Sequence, residues 1–215
     1  MKDGSISQSS LVQADGKLQL QLTDGKPFCI DFLSGKQAYR HQHTHARQEH
    51  LLRAIGWQQA SPPTVIDVTA GLGRDAVLMA QFGCLVTAIE QNPIVFQLLE
   101  DGLRRLKAEH DVPITLLHGN APDLLPTLSK PDVVYCDPMF PARKKSALVK
   151  RELQLLQEMV TEPQDNQALF DAAIACASKR VVVKRPAHAP PFVERSPNFV
   201  YEGKSVCFEV YLKTT

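Results

Sequence analysis

Asp67-Val68-Thr69-Ala70-Gly71-Leu72-Gly73-Arg74-Asp75 decides how this chain is read. It lies where an apolar run, residues 65–68, meets a helix expected from Arg74. Gly71 and Gly73 let the chain turn sharply and let a ligand approach the backbone without a Cβ in the way. The helix then points free N–H groups at that ligand. Two glycines spaced by two are a weak signal alone. They also fit a dinucleotide dehydrogenase, except that Ala76 replaces the third glycine of that fingerprint.

Of two acids, Glu90 serves either cofactor, since both carry a ribose, and Asp67 separates the possibilities. Glu90 stands 17 residues after Gly73, at the end of the next apolar run, where a carboxylate can accept both hydroxyls of a ribose. Asp67 opens the turn as an acid where dehydrogenases usually carry an apolar residue. Sulfonium and α-ammonium groups are cationic, so Asp67 and Asp75 suit S-adenosylmethionine better than a pyrophosphate. Asp75 is equally explained as a first-turn acid complementing the helix dipole. Asn120 follows the third run, where an adenine amine can be read, or where a plain turn would place it.

Around this loop, short β-rich runs alternate with helical segments, as in a parallel sheet with crossover helices. Strands are expected at 65–68, 85–89, 114–117, 133–136 and 181–184. Asn92 can cap a helix whose first position is Pro93, with Val95, Leu98, Leu99, Leu103 and Leu106 as its buried stripe. Further helices are expected at 47–57, 147–160 and 167–177. Val206, Phe208, Val210 and Leu212 alternate after the turn Glu202-Gly203-Lys204, which reads as a closing antiparallel hairpin. The fold class is therefore α/β, Rossmann-like and mostly parallel, with an antiparallel C-terminal hairpin.

The first residues read differently. Leu18, Leu20 and Leu22 alternate with polar neighbours, and Asp15-Gly16 and Asp24-Gly25 are hairpin turn pairs. Phe28, Ile30 and Phe32 continue the alternation, and Ser34-Gly35 closes a small β-meander. The expected organisation is a β-rich region at 1–46 followed by the α/β domain at 47–215. His41, His43 and His45 share one face of an extended segment. Arg40 and Arg47 crowd that face and no acid or cysteine stands at ligand spacing, so a surface or substrate-facing strip is favoured and no metal is expected.

Bulk properties set the outer limits. With 215 residues, 44% hydrophobic, the chain can bury a full core. No run approaches the roughly 20 apolar residues of a membrane span, and residues 1–10 lack a signal peptide's apolar core. The cysteines at 29, 84, 136, 176 and 207 form no CxxC pair, which fits reduced, buried thiols in a cytoplasmic protein. Net charge is +1, yet residues 143–151 hold five cations in nine positions. Such a cluster can grip phosphates or merely be a solvated face.

Asp137-Pro138-Met139-Phe140-Pro141 follows the apolar run Val133-Val134-Tyr135-Cys136. An acid-Pro-x-aromatic tetrad at a strand's carboxyl end can hold an exocyclic amine. Asp137 and the Pro138 carbonyl accept its hydrogens while Phe140 stacks on the base. Methyl transfer needs alignment and desolvation more than a strong base. Asp-Pro is also a common turn starter, but the sheet's carboxyl edge is where doubly wound folds bind ligands.

Taken together, Asp67 to Asp75, Glu90-Gln91-Asn92-Pro93, Asp137 to Pro141, Arg143-Lys-Lys-Ser-Ala-Leu-Val-Lys150 and Lys179-Arg-Val-Val-Val-Lys-Arg-Pro186 resemble the RsmJ family over about residues 30–214. Its members are small-subunit ribosomal RNA methyltransferases acting on guanine N2. The resemblance implies cofactor contacts at Arg74, Asp75, Glu90, Gln91, Asn120, Ala121 and Asp137. It implies 16S rRNA or the small ribosomal subunit as partner, with the guanine at position 1516 in the usual RNA numbering as target. The N-terminal region looks shorter than in other members, and Asn120-Ala121 stands where many carry paired serines.

On this reading Arg143, Lys144, Lys145, Lys150, Lys184 and Arg185 grip RNA phosphates. No membrane contact is expected, and no protein partner is evident. An amino methyltransferase acting on DNA or a small molecule is the main alternative, and an NAD-dependent oxidoreductase a more distant one.

Overall fold

The computed structural model describes residues 10–21, 27–34, 49–138 and 165–213. It opens with a hairpin of β1 (Leu11–Ala14) and β2 (Lys17–Leu20). Asp15 and Gly16 between them both have positive φ, 52° and 71°, as a type I′ turn requires. Next come α1 (His50–Ala54), β3 (Thr64–Asp67), α2 (Arg74–Gln81), β4 (Leu85–Glu90), α3 (Pro93–Glu109) and β5 (Ile114–His118). The short α4 (Ala121–Leu124) runs into a 3-10 turn, and β6 (Val133–Cys136) follows. The described chain ends with α5 (Asn166–Cys176), β7 (Arg180–Pro186), β8 (Phe199–Glu202) and β9 (Val206–Leu212).

Local signals place these elements. The Asn92 side chain accepts from the amides of Ile94 and Val95 at 3.0 and 3.1 Å, and Pro93 fills the first position of α3. Leu98, Leu99, Leu103 and Leu106 are buried, each worth roughly 1.5–3 kcal/mol relative to exposure. The helix expected at 47–57 is tighter, since Gly56 takes a left-handed φ of 71° just past its end. The helix expected at 147–160 lies outside the described residues.

Seven strands form one sheet in the order β5-β4-β3-β6-β7-β9-β8. The five from β5 to β7 are parallel, and β9 pairs antiparallel with both β7 and β8. Within the sheet β9 alone runs against the rest, because β8 reverses direction once more. Strand order reverses between β3 and β6, so their carboxyl ends border a crevice at the switch point.

Period-two alternation splits the core into two layers. Val65, Val133, Tyr135, Val182, Phe208 and Val210 pack with α2 and α3. Ile66, Val134, Val181, Val183 and Tyr211 pack with Leu169, Phe170 and Ala173 of α5. Helices thus cover both faces. Among the described residues no helix is long and apolar enough to cross a membrane. Cys84, Cys136, Cys176 and Cys207 are buried, Cys29 is half-buried, and all five thiols are free.

The third strand of the expected meander shrinks to a single bridge, Leu20 to Phe28. Ile30 and Phe32 instead leave the hairpin and enter the main core beside Leu20. Gly102 of α3 makes room for them, since a Cβ there would meet Ile30 Cγ2 at 2.9 Å and Phe32 Cε2 at 3.2 Å. Charge fixes the arrangement. Buried Asp101 accepts the Leu18 amide at 3.1 Å and Arg105 Nε at 2.9 Å. Arg105 also reaches the Ile30 carbonyl, and Lys17 meets Asp31 at 2.5 Å.

Candidate active site

The loop after β3 is held by the tip of β4. Both Glu90 oxygens accept backbone hydrogens, from Gly71 at 2.8 Å and from Asn92 at 2.7 Å. The Ala70 amide donates to the Ile89 carbonyl at 3.0 Å. Gly71 and Gly73 have φ of 51° and 72°, where a Cβ is strained. Their roles then diverge. Among the described residues, a Cβ on Gly71 would meet only the Thr69 carbonyl, at 3.8 Å, which leaves room for a ligand on that side. On Gly73 it would strike Leu99 Cδ1 at 2.4 Å, so Gly73 serves core packing instead.

Carboxylates gather at the crevice floor. Asp67 is buried and accepts the Thr69 amide at 3.0 Å. Burial, with Asp75 and Asp137 nearby, pushes its pKa up to about 8, against the pull of the Thr69 amide and of Lys184. Asp75, in the first turn of α2, accepts Tyr135 Oη at 2.7 Å and Lys184 Nζ at 2.6 Å on one oxygen. Lys184 reaches across to Asp137 at 2.7 Å. Burial pushes Asp137 up to about 6 and Asp75 adds to that, while the Lys184 ammonium pulls the other way. Burial also works against the charge on Lys184, but Asp75 and Asp137 outweigh it and hold the ammonium above the ordinary lysine value. Burial, together with these same acids, keeps Tyr135 a neutral donor.

Asp137 is not sealed in. Its side chain is 37% exposed, and its amide donates to Thr69 Oγ1 at 2.6 Å. The tips of β3 and β6 are therefore joined directly. Pro138 is buried beside it, whereas Phe140 lies outside the described residues.

The remaining cofactor candidates surround the same crevice edge. Arg74 opens α2, and the Gln91 carbonyl meets His118 Nε2 at 3.2 Å. Asn120 is exposed and donates to Asp123 at 3.1 Å, while Ala121 is buried as the first residue of α4. Gly119 donates to the Glu90 carbonyl at 3.0 Å, which brings this corner to the β4 tip.

The expected phosphate contacts fare differently. Arg143, Lys144, Lys145 and Lys150 lie outside the described residues, as do His41, His43 and His45. Lys184 and Arg185 are turned inward. Arg185 Nε donates to buried Glu209 at 2.6 Å, and its Nη1 donates to the carbonyls of Pro186 and Ala189. Tyr211 Oη completes the coordination of Glu209 at 2.9 Å. Strand alternation sends neighbouring Lys184 and Arg185 to opposite faces, each to an acid.

Sequence reasoning passed over Tyr135 and Thr69. Tyr135 did carry a signal: a phenol inside a wholly apolar strand needs a buried partner. Thr69 had none, because its partner is a backbone amide 68 residues away.

A mostly parallel seven-stranded sheet with helices on both faces and an antiparallel strand near its end is the fold of class I S-adenosylmethionine-dependent methyltransferases. The family described as "Putative SAM-dependent methyltransferase" matches residues 2–213. Ribosomal RNA small subunit methyltransferase J of Thioalkalivibrio sulfidiphilus is 43% identical over 194 residues, spanning 86% of this chain and 76% of that protein. The protein of the same name from Coxiella burnetii is 43% identical over 209 residues, 94% and 82% of the two chains. A crystal structure of a SAM-dependent methyltransferase from Neisseria gonorrhoeae superposes with a TM-score of 0.76 at 37% identity, covering 95% and 83%. This chain belongs to the ribosomal RNA small subunit methyltransferase J family.

Proposed function

We propose that the protein methylates the exocyclic N2 of a guanine in 16S ribosomal RNA, in the cytoplasm. The relatives named above are ribosomal RNA small subunit methyltransferases. The single observation that carries the site assignment is the 2.6 Å bond from the Asp137 amide to Thr69, which sets the amine-holding corner against the glycine loop.

The residues present fit a cationic methyl donor. Gly71 leaves an open approach, and Asp67 is an acid whose burial beside other carboxylates has left it short of positive charge. Glu90 accepts the backbone amides of Gly71, Asn92 and Gln91, which leaves one carboxylate lone pair for a ribose hydroxyl. When bound, S-adenosylmethionine supplies a methyl carbon on a sulfonium that departs as a neutral thioether.

Protein groups do the aligning. Asp137 accepts a hydrogen from the amine, which raises electron density on a nitrogen otherwise delocalised into the ring. The Pro138 carbonyl takes the second hydrogen, and Phe140 supplies the stacking plane. The lone pair on nitrogen would form the new N–C bond as the donor's S–C bond breaks, and the nitrogen's surplus proton would pass to water. Arg143, Lys144, Lys145 and Lys150 are assigned to RNA phosphates. Lys184 and Arg185 leave that set, because each is already engaged by carboxylates.

Mapping methylated guanines in 16S RNA from cells lacking the protein tests this reading. Loss of one N2-methylguanine is expected, restored by the wild-type chain and not by an Asp137→Ala variant. An unchanged methylation pattern refutes it. A tritiated-methyl assay against small subunits, total RNA, DNA and nucleosides separates the substrate classes.

A further inference from the structure

We propose that Lys184 is a positioning residue of the methyl-transfer site, its ammonium holding the Asp137 carboxylate ionised and aimed at the target amine. The inference rests on the methyltransferase reading above.

Geometry carries it. Lys184 Nζ stands 2.6 Å from Asp75 and 2.7 Å from Asp137, with its side chain 22% exposed. These are charge-assisted distances, stronger and more directional than neutral hydrogen bonds. Asp75 is fixed in turn, because the wholly buried Tyr135 donates to the same oxygen that Lys184 contacts. Tyr135, Asp75, Lys184 and Asp137 thus form one chain from the strand interior to the crevice. Among the described residues, the charged and titratable groups facing Lys184 are Asp75 from α2, Tyr135 and Asp137 from β6 and its end, and Asp67 from β3. On β9 its neighbour in register is apolar Phe208.

The chemistry needs such a cation. Asp137 lies among other acids, and a protonated carboxyl would offer a hydrogen where the amine must donate one. A fixed ammonium keeps the group accept-only and orients it. An ammonium clamped by two carboxylates is, by the same geometry, withheld from RNA phosphate.

Steady-state kinetics on small subunits with wild type, Lys184→Met and Lys184→Arg test the assignment, alongside filter binding of 16S RNA and calorimetry with S-adenosylmethionine. Lys184→Met is expected to lower kcat by about 10–100-fold and to move the acid limb of the kcat–pH profile upward by about one unit, the scale of losing one close charge. RNA affinity and its salt slope should stay within about twofold. Lys184→Arg keeps the charge and should hold the acid limb near its wild-type position. Two results overturn the proposal. One is an RNA affinity that falls about tenfold, with a salt slope reduced by about one and kcat intact, which marks a phosphate contact. The other is a Lys184→Arg profile displaced as far as that of Lys184→Met, which removes charge as the cause. If Lys184→Met fails to fold, an arginine profile displaced upward by about one unit from wild type still overturns the proposal. A wild-type protein that transfers no methyl to small subunits refutes the function instead, leaving the two failures distinguishable.

Discussion

The Asp137 amide and the Thr69 hydroxyl meet at 2.6 Å, and through that bond the tip of β6 is tied to the loop that follows β3. Thr69 is itself anchored, since its amide donates to Asp67 at 3.0 Å. Position 69 therefore aligns the two halves of the crevice. Thr69→Val should destabilise the fold by about 1 kcal/mol, the low end of the cost of an unpaired amide, since this one is half-buried. It should also lower kcat about tenfold or more through misplacement of Asp137. Thr69→Ser keeps the hydroxyl and should stay close to wild type. Denaturant melts and single-turnover rates check both, and a valine variant indistinguishable from wild type would count against the role.

Asp137 is expected to be indispensable to turnover. Asp137→Ala should lower methylation of stripped small subunits by about 10²-fold or more, as when one positioned polar group is lost from a transition state. Because burial pushes its pKa up to about 6, and the ionised form is the one that accepts, kcat should fall as pH drops through that value. A profile flat down to pH 5 would show that Asp137 does not act as the acceptor.

Asp67 should report cofactor binding as a proton. Its folded pKa is raised to about 8 from an ordinary 3.8, chiefly by burial, so the fold favours the neutral acid. That contribution to stability is present at low pH and is lost as pH rises through the folded value. A bound cation lowers the pKa, so S-adenosylmethionine binding at pH 7 should release up to about one proton. Calorimetry in two buffers of different ionisation enthalpy measures it. Identical apparent enthalpies would place the cation away from Asp67.

Acid should free the N-terminal hairpin first. Burial alone would raise Asp31, but the Lys17 ammonium, the Leu33 amide and the Ser34 hydroxyl outweigh it and bring the pKa down to about 2. Asp101 is lowered too: burial raises it, and Arg104, the Leu18 amide and Arg105 reverse that. Depressed acids stabilise the fold above their unfolded value near 4, and that support is lost as pH falls toward 2. Pepsin at pH 3 should therefore cut within 11–20 before it cuts the main sheet, and Asp31→Asn should expose the same segment at neutral pH. Simultaneous loss of hairpin and sheet would refute the ordering.

Arg185 should behave as a structural residue, unlike the cations after the tetrad. Arg185→Ala strands Glu209, which is 3% exposed, and should cost about 3–5 kcal/mol, visible as a lower Tm. The variant that remains folded should bind RNA like wild type. Arg143→Ala and Lys144→Ala should do the reverse, weakening RNA binding in a salt-matched filter assay with Tm and cofactor affinity intact. RNA retention unaffected in those two would remove them from the interface.

Local rules made much of the architecture legible. Asn92-Pro93 states a helix start on its own, and Asp15-Gly16 states a hairpin turn, because each satisfies neighbouring backbone groups. The alternation of Phe28, Ile30 and Phe32 misled, since a hairpin face and a helix groove both accept alternating apolar residues. Gly102 in the middle of α3 was the clue that a backbone passes close by.

By itself, then, the sequence determined where most of the described strands and helices run, which loop turns at the sheet's edge and which acid follows β6. These depend on periodicities and caps a few residues long. Tertiary structure alone decided that Lys184 serves the crevice and Arg185 the opposite layer. Lys184 meets acids 47 and 109 positions away, and a cation in a chain looks the same whether its nearest anion is a carboxylate or a phosphate. Only packing brings one within bonding distance, and in low dielectric that nearest charge governs the rest.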